Sequence, residues 1–385
     1  MDVIEILFSL LRCELKGIPL NTQKMNDIDN ETLSSLFSVS TAHDIAHIVA
    51  SALCKNGRLG NDEISEKFRR KTLEAICRYE RSNNEFNEIS TTLRKAGVPF
   101  VPLKGAVIRQ YYPEPWMRTS GDIDILVKKE DFEKAISLLK SELNYRAETK
   151  CNYHDISLYS QTGVHLELHF SVKENKPSVD SVLERVWDYA MPAEEGSLCC
   201  KLQNEFLMFY FIAHAAYHFL NGGCGVRMLI DLCFLEDNIE YDKQMFTAFL
   251  EEADLYKFYE NMSRLSRVWM YNEPHTETTL RMESYILLGE LYGTLKNSIA
   301  VEQNKMGGRI GYALGRLFIP YERMKKAYPI LEKHKWLTPF MQVRRWFRII
   351  FTGGTLRSVR KLKTNATLKE ERTKSVRTLL DLLDL

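Results

Sequence analysis

Two aspartates one residue apart, Asp122 and Asp124, lie in the run Ser120-Gly121-Asp122-Ile123-Asp124-Ile125-Leu126-Val127. On a strand, positions two apart share a face, so both carboxylates point one way while Ile123 and Ile125 point into a core. Carboxylates held side by side repel, which a divalent cation relieves, and hard oxygen ligands suit Mg²⁺ or Mn²⁺. The same pair also decorates solvent-facing strand edges, so the motif decides little alone. A second run, Val164-His165-Leu166-Glu167-Leu168-His169-Phe170, alternates in the same way. It puts His165, Glu167 and His169 on one face and Leu166, Leu168 and Phe170 on the other. Glu167 is thereby a candidate third metal ligand or base. Each histidine reads equally well as a hydrogen-bonded side chain beside a polar cleft. Zinc is the weaker reading, because no cysteine or further acid has the matching spacing.

A third feature is Leu103-Lys104-Gly105-Ala106, a strand-to-helix junction with glycine at the turn. A helix start offers free backbone N–H groups and the positive end of its dipole, both suited to phosphate. Lys104 would add a point charge. A plain helix-starting turn is the equal alternative.

These residues need a sheet to hold them. The segment 98–103, with Pro99 and Pro102, reads as a short extended run suited to a sheet edge. Ile123 to Val127 reads as a second strand and Glu130 to Leu143 as an amphipathic helix. Tyr145 to Thr149, His154 to Ser160 and Val164 to Val172 follow as strands, the last two joined in a hairpin by Gln161-Thr162-Gly163. Around this unit the chain is helical in period. Leu33 to Leu53 and Ser65 to Leu93 precede it, with Gly97 as a C-terminal cap after a basic helix end. Glu205 to Phe219, Val226 to Glu236, Gln244 to Leu255 and Thr278 to Leu295 follow it. The expected class is α+β: a small mixed sheet between an N-terminal helical region and a C-terminal helical bundle. The expected division is 1–97 helical, 98–175 catalytic, 176–330 helical and 331–385 a basic helical segment.

The glycine turn, then Arg118-x-Ser120-Gly121-Asp122-x-Asp124, then Glu167 on a later strand, resembles the nucleotidyltransferase fold of the DNA polymerase β superfamily. More closely, the runs LKG at 103, YY at 111, RTSGDIDILV at 118, His154 and VHLELH at 164 look like the bacterial family described as uncharacterised nucleotidyltransferases. The resemblance covers Val98 to Val172 and extends loosely over His214 to His218 and Arg227 to Asp231. It implies a two-metal transfer of a nucleoside monophosphate from an NTP, expected to be ATP, to an unnamed hydroxyl acceptor. Asp122, Asp124 and Glu167 are implied to hold two Mg²⁺ (or Mn²⁺) ions. Gly105 with Lys104 is implied to cradle the triphosphate, with Arg118, Ser120, Gly121 and Arg227 as further nucleotide-side residues. There are two departures. The usual glycine-serine of the phosphate turn is Gly105-Ala106 here, and the gap from that turn to Asp122 is longer than the common form. Ser120 or Arg118 is the expected substitute for the missing hydroxyl. A degenerate module that binds nucleotide or a protein partner without turnover is the competing reading.

Arg227 and Asp231 are four apart and share a helix face. They either pair with each other, or Arg227 reaches the triphosphate. His214 and His218 share that spacing, and buried hydrogen-bonded histidines are the equal alternative.

Bulk properties set the remaining bounds. The 385 residues are 45% hydrophobic and 27% charged, which excludes a disordered or fibrous chain. Lys+Arg 52 against Asp+Glu 51 names no polyanionic partner for the whole. The eight cysteines show no paired metal spacing and read as reduced thiols. With no basic leader and no apolar run of about 18 residues, the expectation is a cytoplasmic protein without a transmembrane segment. Between Lys333 and Arg377, however, 13 basic residues face 2 acids. Within that stretch, 344–351 (RRWFRIIF) mixes cations with aromatic and branched residues, as a contact with an anionic membrane surface or nucleic acid would require. A solvated helix face is the alternative.

Overall fold

The computed structural model describes residues 2–21, 28–148, 154–288, 294–351 and 354–385, and within them all side chains but those of 326 and 349–360. The chain forms two compact units. The first is Met1–Tyr217 with Val226–Leu280 and Asp384; the second is His218–Gly225 with Arg281–Leu383 and Leu385.

The first unit begins with α1 (Val3–Lys16), α2 (Asn30–Ala42), α3 (Ala46–Lys55) and the long α4 (Glu63–Lys95). Asp2, Asp29 and Asp62 cap α1, α2 and α4, each side chain accepting from a first-turn backbone N–H. The apolar pattern over 33–53 is not one helix: Asp44, at φ 53, breaks it between α2 and α3. Gly97, at φ 70, ends α4 as expected.

The sheet unit follows as β1 (Phe100–Pro102), α5 (Gly105–Ile108), β2 (Asp122–Val127), α6 (Phe132–Glu142), β3 (Arg146–Ala147), β4 (Asp155–Tyr159) and β5 (His165–His169). The expected strand end at Thr149 lies outside the described residues, as does Cys151. Strand order is β1-β2-β5-β4-β3, so the proline-bearing β1 is an edge strand. β2 and β5 are parallel and the other neighbours antiparallel, which makes the sheet mixed. A parallel pair needs a crossover, and α6 with the β3–β4 segment supplies it. One face of the sheet packs its apolar residues, among them Ile123, Ile125, Leu166 and Leu168, with Ile89 and Leu93 of α4 and Leu139 of α6. The other face carries the polar residues of the same strands.

Next come α7 (Pro177–Leu183), β6 (Ala190–Pro192), β7 (Cys200–Leu202), α8 (Asn204–Leu220), α9 (Val226–Asn238), α10 (Lys243–Glu252), α11 (Tyr256–Tyr271) and α12 (Glu277–Leu287). The β6–β7 hairpin has no counterpart in the sequence reading, since three-residue strands are too short to show a period. The expected helix over 278–295 is α12 as far as Leu287; residues 289–293 lie outside the described set. The second unit continues with α13 (Leu295–Lys305), α14 (Arg309–Leu317), α15 (Tyr321–Ala327), α16 (Ile330–Lys333), α17 (Thr338–Phe351), α18 (Gly354–Thr367) and α19 (Glu370–Leu383). Its interior holds Tyr285, Ile299, Tyr312 and Leu383, and Gln303 donates to Asn365 at 2.7 Å. Among the described residues no helix is long and apolar enough to cross a membrane.

Candidate active site

The β2–β5 register aligns the acids. Asp122 lies opposite His165 and Asp124 opposite Glu167. β4 extends the same rows, with Tyr159 opposite His165, Ser157 opposite Glu167 and Asp155 opposite His169. Strand alternation puts all of these on the face away from the apolar core. Three sets of side chains each bring their ligand atoms within 4.8 Å of one another: Asp122, His165 and Glu167; Asp124, Glu167 and His169; His154, Asp155 and His169. Mixed carboxylate and imidazole donors fit a divalent ion. The Nε2 of His165 is buried and has no hydrogen-bond partner among the described residues, while its ring stacks on Tyr159 at 4.7 Å. An imidazole nitrogen without a partner, on a residue clustered with two carboxylates, fits a metal ion.

The two aspartates differ. Asp124 is 2% exposed, and its Oδ1 accepts from Lys104 Nζ at 2.8 Å and lies 3.0 Å from His169 Nε2. Burial would raise its carboxyl, but the Lys104 ammonium and the His169 hydrogen bond hold it below the usual carboxylate range. Burial works against the Lys104 ammonium too, and Asp124 outweighs it, raising the lysine well above its ordinary value. Lys104 Nζ is also 4.0 Å from Glu167 Oε2, and His169 Nε2 is 3.5 Å from the same oxygen. The His169 hydrogen bond lowers Glu167. Among the described residues, Asp122 accepts a side-chain hydrogen bond only from the Ser120 hydroxyl, at 3.5 Å. Burial, then the charge of Asp124, raises its carboxyl.

Lys104 reaches Asp124 from an unusual backbone. At φ 46 and ψ −117 it occupies the first central position of a tight turn closed by Ala106 N donating to Leu103 O. Those angles match a type II′ turn, where glycine is the residue without steric cost. A lysine there carries about 1–3 kcal/mol of local strain. The turn opens α5, a single helical turn. Gly105 is needed for space: a Cβ at this position would lie 2.5 Å from Ser120 Oγ and 3.3 Å from an Arg118 guanidinium nitrogen. The Ser120 hydroxyl is therefore seated against the turn that lacks its own.

Arg118, 7% exposed, is committed elsewhere. Its guanidinium donates to both carboxylate oxygens of Asp231, at 2.9 and 3.0 Å, and Tyr112 donates its hydroxyl to Asp231 at 2.6 Å. Arg227 and Asp231 do not pair with each other. Arg227 instead meets Asp44 at 2.9 Å and the Thr119 carbonyl at 3.1 Å, and the Thr119 hydroxyl donates to Asp44 at 2.7 Å. Both arginines thus brace the Thr119–Ser120 segment that leads into β2. Above Lys104, α8 contributes Tyr210 and His214. His214 Nδ1 is 2.8 Å from Glu174 Oε1, and burial followed by the Lys104 charge keeps its imidazole well below its ordinary pKa.

The model of a family described as uncharacterised nucleotidyltransferase matches residues 29–271. This chain belongs to that family. No curated protein matches the sequence. Among solved structures, the Thermotoga maritima CCA-adding enzyme complexed with tRNA is similar at 13% identity over 78% of this chain and 82% of that one. The TM-score of that match is 0.21. The uncharacterised nucleotidyltransferase match spans the sheet and its flanking helices and stops short of Arg281.

The sequence reading singled out Asp122, Asp124 and Glu167 on one face, and the strands bring them together. It did not single out Asp44, Asp155, Glu174 or Tyr210, and it took in Tyr112 only as part of the Tyr111-Tyr112 run. Asp44 alone carried a usable signal: a short acid after the apolar run of α2, in a type of residue that tolerates positive φ.

Proposed function

We propose that the chain transfers a nucleoside monophosphate from an NTP, ATP in the first instance, to a hydroxyl acceptor, using two Mg²⁺ (or Mn²⁺) ions. The observation that carries this reading is the β2–β5 register, which sets Asp124 beside Glu167 with Asp122 on the same face. Asp122, Asp124 and Glu167 would hold the ions, which supply charge stabilisation for the transferred phosphoryl group and lower the cost of ionising the acceptor hydroxyl. The acceptor oxygen forms the new bond to the α-phosphorus; the bond to the bridging oxygen breaks, pyrophosphate leaves, and the hydroxyl proton passes to solvent. Lys104 and the backbone of Gly105 and Gly121 would bind phosphate oxygens, with the Ser120 hydroxyl replacing the one that Ala106 lacks. The contacts of Arg118 and Arg227 support a bracing role for both. Membership of the DNA polymerase β superfamily and a cytoplasmic location are parts of the same proposal.

The test is an incubation with labelled NTPs, Mg²⁺ and cell extract. Label on a product supports transfer. A thermal shift with NTP and no product would replace it with a degenerate nucleotide-binding module, and neither response would leave only a scaffold.

We assign the basic C-terminal segment to an anionic surface, a membrane before nucleic acid. Trp336, Phe340 and Phe347 are 68%, 62% and 55% exposed, beside the exposed Arg344. Arg345 is not part of that surface charge, because it donates to the Arg316 and Leu317 carbonyls at the end of α14. Exposed rings beside cations match the chemistry of a lipid headgroup boundary. Pelleting with anionic vesicles at low salt tests it; no binding removes the membrane.

A further inference from the structure

The ammonium of Lys104 sits where a cation is wanted. It is 2.8 Å from Asp124 Oδ1 and 4.0 Å from Glu167 Oε2, and those two residues with His169 form one of the candidate metal-binding sets. In the neighbouring set, Asp122, His165 and Glu167, the Asp122 carboxylate has no cationic side chain within ion-pair distance among the described residues, Glu167 is the member shared with the first set, and the buried Nε2 of His165 has no hydrogen-bond partner there. One cation position is therefore filled from within the chain and the other is open. The backbone supports the same conclusion. A residue held at φ 46 in a turn that favours glycine is retained against its conformational preference, and what lysine adds over glycine here is a charge delivered to Asp124.

We propose that Lys104 is a resident cation at the Asp124–Glu167–His169 position. The free chain then binds one divalent ion, at Asp122, His165 and Glu167, and admits a second only when nucleotide phosphate draws the lysine off Asp124. His165 and His169 are accordingly metal ligands, one for each position. The lysine's stem is long enough to exchange one anionic partner for another without moving the turn, and a phosphate that arrives with its own divalent ion offers an anion for the ammonium and a cation for the carboxylates it leaves. Loading of the second ion is thereby tied to substrate. The chain avoids holding two bare divalent ions against three carboxylates in the absence of NTP. This inference rests on the nucleotidyltransferase reading of the site.

The experiment counts Mn²⁺ bound to the full chain by the loss of the free-ion electron paramagnetic resonance signal. It is run with and without a non-hydrolysable NTP analogue, after subtracting ions held by the analogue alone. The wild type is expected to bind one ion without nucleotide and two with it. Lys104→Gly, which suits the turn, is expected to bind two without nucleotide. His165→Asn is expected to weaken the single wild-type ion at least tenfold. Two ions on the nucleotide-free wild type, or one ion on Lys104→Gly with an unchanged circular dichroism spectrum, would overturn the resident-cation role. Should Lys104→Gly not fold, Lys104→Met read in the same way replaces it. No ion on any variant would overturn the metal reading beneath it, and so separates the two failures.

Discussion

In the sheet-bearing unit, charged side chains are withdrawn from water in matched sets. Asp124 meets Lys104 and His169, Asp231 meets Arg118 and Tyr112, and Arg227 meets Asp44. In the C-terminal unit the arrangement is reversed: Ile310, Trp336, Phe340 and Phe347 face solvent, and Arg344 stands exposed among them. Burying a charge costs several kcal/mol unless a partner compensates it, so a fold that buries this many has a use for their fixed positions. Exposed aromatic rings serve no interior, and with cations beside them they are suited to contact with an external surface. The family match, over residues 29–271, covers the sheet and its acids and ends before Arg281, where the main part of the second unit begins. On the proposed function, chemistry is assigned to the first region and attachment to the second.

Substitutions separate the two roles. The largest effect is expected at the acids: Asp122→Asn or Glu167→Gln should lower nucleotidyl transfer by about 10²–10³-fold, with little change in melting temperature. Labelled-NTP transfer and thermal unfolding read the two quantities. Asp231→Ala leaves the Arg118 guanidinium buried without its carboxylate and should cost about 3–5 kcal/mol in urea unfolding. A loss near zero would mean that the pair does not brace the β2 approach. Next comes pH. Burial pushes the His47 imidazole down to about 4, with its Nε2 2.7 Å from the Met117 carbonyl, against about 6.5 in an unfolded chain. The folded form then binds fewer protons between these values. Its contribution is complete above pH 6.5 and is lost as the pH falls towards 4, by at most about 3 kcal/mol. His47→Gln should flatten that part of the stability profile; an unchanged slope would refute the assignment. The smallest effect on stability is expected in the second region. Replacing Trp336, Phe340 and Phe347 together with serine should alter unfolding by no more than about 0.5 kcal/mol per site while abolishing vesicle pelleting. Retained pelleting would break the contrast between the two units.

The strands were legible because their period is two. Asp122 and Asp124 alternate with buried Ile123 and Ile125, and Glu167 alternates with Leu166 and Leu168. The two prolines marked β1 as an edge, and Gly163, at φ 81, closes the β4–β5 hairpin where the sequence placed it. Register was not legible. Nothing in a local pattern says that Asp124 will lie opposite Glu167, because pairing is decided across a crossover of more than thirty residues. Long-range partners were hidden for the same reason: the Arg118–Asp231 pair spans 113 positions, and the nearer Arg227 looked like the natural mate of Asp231. The glycine in Leu103-Lys104-Gly105 announced a turn but not its geometry, since the left-handed φ falls on the lysine. α11 was passed over although Phe258, Met262, Leu265 and Trp269 recur at helical spacing and are all buried.

The most direct measurement is calorimetric titration of a non-hydrolysable NTP analogue into the full chain, with and without Mg²⁺, for the wild type and Asp122→Asn. Binding is expected only when Mg²⁺ is present, and a loss of at least about tenfold in affinity is expected for the variant at an unchanged melting temperature. Equal affinity with chelator present, or in Asp122→Asn, would contradict a metal-borne nucleotide at this face of the sheet.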